Sequence, residues 1–194
     1  MAWVKAHVFL FIVYLDMKVF ISDFYHVRFF RPNMIPMSTA GGRGGPLWYI
    51  GGDTFHPKCF LDKNNVMNGI REDKLAFPNH NYEKLETACG KDCGYHHQLE
   101  LHNEKEYWCP FMKKYRDYLE TVDINYLLSE FNRVAEDVRS ITHFADEPEI
   151  VLLVYETARS GCGERQPLID YFKSHGVDIK EWSQDELQNG AEIF

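Results

Sequence analysis

Ile150-Val151-Leu152-Leu153-Val154-Tyr155 is an apolar run with no charged residue to interrupt it. As a strand it has no side to turn to water, so both of its faces must be covered. Central strands of parallel sheets meet that condition, packed between two layers. The flanking segments agree. Ile124, Leu127, Leu128, Phe131, Val134, Ala135, Val138 and Ile141 recur at helical spacing, and Asp123 is suited to cap their first turn. Pro110 to Leu119 predicts a second helix, with proline in its first turn. After the run come a loop from Glu156 to Gly163, a helix patterned by Leu168, Ile169 and Phe172 and ended by Gly176, and a strand from Val177 to Trp182. Helix, buried strand, helix and strand in that order specify an α/β fold, a largely parallel sheet flanked by helices.

The first half is less regular. Val19 to Ser22 predicts an opening strand. Arg31-Pro32-Asn33 and Ile35-Pro36 are expected to break regular structure. Gly41 to Pro46 predicts a flexible loop without the Gly-Lys-Ser/Thr ending of a phosphate loop. The 194 residues suffice for one core and are thin for two. The expected organisation is a single α/β domain over 17–194 with an insertion at about 79–109. Residues 1–16 are expected to be an extension or an additional strand, because Met17 offers a second start. The apolar stretch Val8 to Leu15 is too short for a bilayer, which takes about 20 residues, and no small-x-small cleavage site follows it. No membrane association and a cytoplasmic location are expected.

Lys and Arg number 21 against 29 Asp and Glu, a net charge of −8. Such a surface disfavours non-specific nucleic-acid binding, which needs a basic face. A local basic edge is still open to the chain if Arg28, Arg31, Arg43, Arg159 and Arg165 converge. That arrangement would fit a small anionic ligand.

In open α/β sheets, ligands bind at the carboxyl ends of the strands. Glu156 lies where the buried strand meets its loop, and Cys162 and Arg165 lie at the start of the next helix. Free N–H groups there attract anions and lower a thiol's pKa. Arg159 and Arg165 offer guanidinium forks for a phosphate or carboxylate. Phosphatase-like chemistry places Cys directly after the strand, and here Glu156 has that position, which favours a carboxylate role. If the opening strand neighbours the apolar one, Asp23, Tyr25 and Arg28 reach the same edge, with Ser38 and Thr39 from the following loop. The expected catalytic residues are Glu156, Asp23 and Cys162; Tyr25, Arg28, Ser38, Thr39, Arg159 and Arg165 are expected to bind ligand. A strand-end Glu beside anion-binding groups suits an oxocarbenium-like centre, as in two-carboxylate glycosidases. The expected activity is therefore that of a nucleotide N-glycoside hydrolase or transferase, acting on a nucleotide-like or other small phosphorylated or N-glycosidic ligand. The alternatives are a non-catalytic ligand- or partner-binding accessory protein of phage or host, and a thiol-based sulfur or redox protein using Cys162.

These segments resemble the domain of unknown function 488 family, which has bacterial and phage members. The resemblance is carried by Ile150 to Trp182, with its apolar strand, Glu156, Cys162-Gly163-Glu164-Arg165 and amphipathic helix. It is carried also by Lys18 to Asn33, with Asp23, Val27-Arg28 and Arg31-Pro32-Asn33. The family has a Cys-His-Arg-like element after the strand. This chain lacks its His and has one further residue between Cys and Arg. The resemblance spans roughly Met17 to Trp182 and implies an α/β fold and a cytoplasmic protein.

Five cysteines cannot all pair with one another, and their scatter suits a reducing compartment. Cys89 and Cys93 form a close pair, Cys109 follows, and His96, His97 and His102 lie between. A close pair plus distant ligands is a zinc spacing, so Cys89, Cys93, Cys109 and His97 are the expected ligands of a possible Zn site in the polar insertion. Elemental analysis of the protein and of its Cys89/Cys93 double variant tests that expectation. Phe29, Phe30, Trp48, Tyr115 and Tyr118 are expected in the core or at its rim rather than as stacking platforms, and His26 and His143 are expected to be structural.

Overall fold

The computed structural model describes residues 17–41, 45–50, 60–61, 67–77, 110–156 and 163–182. In chain order the elements are β1 (Lys18–Asp23), a 3₁₀ turn (His26–Phe29), β2 (Met34–Ser38), α1 (Leu47–Ile50), β3 (Phe60–Leu61) and β4 (Met67–Asn68). Then follow α2 (Pro110–Leu119), α3 (Ile124–Thr142), β5 (Glu149–Val154), α4 (Arg165–Ser174) and β6 (Ile179–Glu181). β1, β2, β5 and β6 form a parallel sheet in the order β2-β5-β1-β6, so this is an α/β fold. β3 and β4 make a small antiparallel pair.

The apolar run is β5, and it lies between β2 and β1. Ile150 to Val154 are fully buried. Their alternate side chains enter two separate cores, which explains the absence of a polar period. Ile150, Leu152 and Val154 join Val19, Ile21, Phe131 and Phe172 on the face covered by α2, α3 and α4. Val151 and Leu153 join Phe20, Phe24, Tyr49 and Trp182 on the other face. Each buried Val, Leu or Ile contributes about 1.5–3 kcal/mol of transfer free energy.

The helices end for local reasons. The Asp123 carboxylate accepts from Asn125 N–H at 2.9 Å and Tyr126 N–H at 3.4 Å, capping α3 as expected. His143 closes that helix in the left-handed region, at φ 55°. Gly176, at φ 78°, turns the chain out of α4 toward β6.

β2 departs from the expectation that Ile35-Pro36 breaks regular structure. All of Met34–Ser38 is a strand, with Pro36 in register with Val151. The strand is the outer member of the sheet beside β5, where proline is tolerated. The Pro36 carbonyl lies 2.9 Å from the Tyr49 hydroxyl, pointing away from β5, and the N–H it lacks would point the same way. Farther along, Ser38 N–H donates to Ile70 O and Glu72 N–H donates to Ser38 O, so chain past β4 continues the edge.

Among the described residues, no helix is long and apolar enough to cross a membrane.

Candidate functional site

β1 and β5 are neighbours, with Asp23 opposite Val154, so the ends of both strands open on one edge of the sheet. The chain leaves β1 toward β2 on one side and leaves β5 toward β6 on the other. The connection from β1 thus passes β5 and the connection from β5 passes β1, at the carboxyl ends where open α/β sheets bind ligands.

Glu156 lies at that edge, two residues beyond β5. Its Oε1 accepts from Glu164 N–H at 3.2 Å, and its Oε2 is buried with no hydrogen-bond partner. The side chain lies directly against Gly163. A Cβ there would come within 2.5 Å of Glu156 Cγ and 2.6 Å of its Cδ, so only glycine fits. Burial pushes the Glu156 carboxyl up, against the opposing pull of backbone N–H groups and Arg165. Glu164 is also buried, and burial followed by repulsion from Glu156 pushes its carboxyl up to about 8. At neutral pH the pair therefore holds a proton.

Arg165, 8% exposed, begins α4 between these acids and the sheet. Its Nη2 donates to Glu156 O at 2.5 Å and lies 3.8 Å from Asp23 Oδ2, while its Nη1 is paired with Glu181 Oε1. One guanidinium thus joins the ends of β1, β5 and β6. Glu181 is raised by burial, opposed by Arg165. Both terminal nitrogens of Arg165 serve the protein, where the sequence suggested a fork for ligand.

Asp23, 3% exposed, ends β1. Its Oδ1 accepts from Tyr25 N–H at 2.9 Å, His26 N–H at 3.2 Å and the His26 ring at Nδ1, 2.9 Å. Ordered this way, Nδ1 is the ring nitrogen facing Asp23, and Nε2 is the one left for other partners. The ring packs edge-on to Trp182 with centroids 5.7 Å apart. Tyr25 and Arg28 follow on the exposed surface. The Arg28 guanidinium lies 3.9 Å above the Tyr25 ring and its Nε donates to Tyr25 O.

Ser38 and Thr39 reach the same edge but are fully buried. Thr39 Oγ1 donates to Leu153 O at 3.0 Å, and Ser38 Oγ accepts from Ala40 N–H at 3.1 Å. Their hydroxyls satisfy the backbone at the end of β2. Arg31 does not join the edge. It pairs with Glu149 at 2.5 Å, beside Lys18, at the opposite end of the strands. A cavity of about 300 Å³ near Met17, Arg139 and Pro148 also lies at that far end.

Cys162 and Arg159 lie outside the described residues, as do Arg43 and the expected zinc ligands Cys89, Cys93, Cys109 and His97. Among the described residues, no group of three or more His, Cys, Asp and Glu is placed to hold a metal ion. Three residues of the site were not expected in it. Glu164 reads as an ordinary first-turn charge, and nothing in the sequence singles out Glu181. His26 carries no signal until Asp23, three residues earlier, is seen to turn back toward it.

Fold and site together define a parallel α/β domain with a buried carboxyl pair at its strand ends. Compared with known protein families, curated proteins and solved structures, the chain finds no match.

Proposed function

We propose that the chain is an enzyme that hydrolyses or transfers the N-glycosidic bond of a small nucleotide-like molecule at the carboxyl ends of β1 and β5. The buried Glu156–Glu164 pair, with its retained proton, carries the proposal. Cleaving a C–N glycosidic bond sends the bonding electrons to the base nitrogen, which needs a proton to leave. An acid with a raised pKa supplies it, and the carboxylate left behind stabilises the oxocarbenium-like sugar until the oxygen of water or of another hydroxyl acceptor bonds to the anomeric carbon and its proton returns to that carboxylate. Kinship with the domain of unknown function 488 family belongs to the same proposal and rests on the apolar strand, its terminal Glu156 and the presence of Cys162 and Arg165 after it, not on their spacing.

A panel of nucleosides and nucleoside monophosphates, assayed for free base, tests the activity. Wild type is expected to release base from at least one, and Glu156→Gln to lose 100-fold or more (about 10²–10⁴ for a general acid) while keeping its melting temperature. No release by wild type, or unchanged release by a folded Glu156→Gln, contradicts it.

The engagement of Arg165 by Glu181 and the Glu156 carbonyl favours a second reading, a non-catalytic binding module. Nucleoside-dependent thermal stabilisation without base release would identify it. No described residue bears on a thiol role for Cys162.

A further inference from the structure

We infer that His26 Nε2 and Glu181 Oε2 bind the two neighbouring hydroxyls of a sugar at the ends of β1 and β6. The inference rests on the glycosidic reading above and makes its ligand a ribonucleoside with both ribose hydroxyls in place.

β1 and β6 are neighbours, with Ile21 opposite Glu181. The His26 ring is fixed at this end of the pair from several sides. The buried Asp23 carboxylate lies 2.9 Å from Nδ1, and Trp182, the residue after Glu181, packs edge-on to the ring with centroids 5.7 Å apart. Tyr25 meets the ring edge-on at 5.4 Å. An ionised Asp23 offers only lone pairs, so Nδ1 carries the ring proton and the neutral ring presents Nε2 as an acceptor. Among the described residues Nε2 has no partner, and the side chain is 31% exposed.

Glu181 is matched to it. Arg165 Nη1 holds Oε1, Oε2 has no partner among the described residues, and the side chain is 34% exposed. Burial raises the Glu181 carboxyl, while Arg165 and then His26 oppose the rise, so ring and carboxyl lie within electrostatic reach of each other. Two fixed acceptors at one edge call for two donors on neighbouring atoms, and a vicinal diol supplies them. A carboxylate that takes a ribose hydroxyl is a recurring arrangement at the strand ends of α/β sheets. Asp23 and Glu181 repel a phosphate here, and Arg165 offsets their charge for a cation, which leaves a neutral polyol favoured. The same guanidinium leads to the proposed acid: its Nη2 donates to Glu156 O at 2.5 Å, so the sugar site and Glu156 adjoin through Arg165.

Calorimetric titration of the full chain with adenosine, guanosine, cytidine and uridine, each beside its 2′,3′-dideoxy form, tests the pair. At least one ribonucleoside is expected to bind, and its dideoxy form to bind at least about tenfold more weakly, the cost of hydrogen bonds lost to a carboxylate. His26→Asn keeps an amide N–H for Asp23 and removes the Nε2 acceptor. It should keep the melting temperature and narrow that ratio about threefold. His26→Gln, with an amide oxygen near the Nε2 position, should restore the ratio. Glu181→Gln still offers Arg165 an oxygen and should narrow the ratio as well. A His26 that only props the turn would lose melting temperature in His26→Asn and leave the ratio alone. Failure of every ribonucleoside to bind, equal affinity for ribose and dideoxyribose forms in wild type, or a ratio that folded His26→Asn and Glu181→Gln both leave unchanged overturns the inference. Selective ribonucleoside binding that never leads to base release removes the glycosidic chemistry and keeps the sugar site. Base release from ribose and dideoxyribose forms at equal KM removes the sugar site and keeps the chemistry.

Discussion

Gly163 has no room for a side chain because Glu156 occupies that space. Gly163→Ala must displace the carboxyl or the backbone, and overpacking of this kind costs about 1–3 kcal/mol. In a Glu156→Ala background the same change should cost far less, because the obstructing atoms are gone. Chemical denaturation of the four proteins of that cycle gives the coupling directly; equal costs in both backgrounds would contradict the contact. Glu164 makes a second prediction. Its folded carboxyl is pushed up from 4.5 to about 8. Between those values the folded chain keeps a proton that the unfolded chain has released. Stability is therefore greatest in mild acid and falls as pH rises toward 8, by about 1.4 kcal/mol per pH unit for such a group. Glu156 and Glu181, also raised, add in the same direction. Glu164→Gln should flatten the slope, seen as a smaller difference in denaturation midpoint between mildly acidic and mildly alkaline buffer.

At the scale of elements, legibility followed how local each cause is. β5, α2, α3 and α4 were legible because an apolar period or a capping residue specifies them within a few positions. The α3 cap can be tested by Asp123→Ala, which should cost about 1 kcal/mol in thermal or denaturant unfolding; no loss would mean that the two N–H groups find other acceptors. β2 was not legible, since Pro36 argues against a strand until its place at the sheet edge and the Tyr49 hydroxyl are known. The site divides in the same way. Glu156 and Asp23 follow from the rule that strand ends bear ligands. Glu164, Glu181 and His26 depend on contacts through space, and the inward turn of Arg165 depends on two acidic partners from other strands.

For the molecule as a whole, the net charge of −8 acquires a local meaning. Acidic groups converge on the strand ends, and burial there pushes the carboxyls of Glu156, Glu164 and Glu181 up. Arg165 ties three strands at their carboxyl ends, while Arg31 and Lys18 bind Glu149 at the other end. The basic edge expected from the sequence is, among the described residues, an acid-rich edge braced by Arg165. In the proposed reaction this edge gives a proton to the departing base. The pH dependence of base release from the best nucleoside tests this most directly, with wild type and Glu164→Gln compared at equal folded fraction. Release by wild type should fall as pH rises through about 8, the range in which Glu164 loses its proton, and Glu164→Gln should move that fall. A wild-type rate that is flat across this range, or a fall that Glu164→Gln leaves in place, would contradict it.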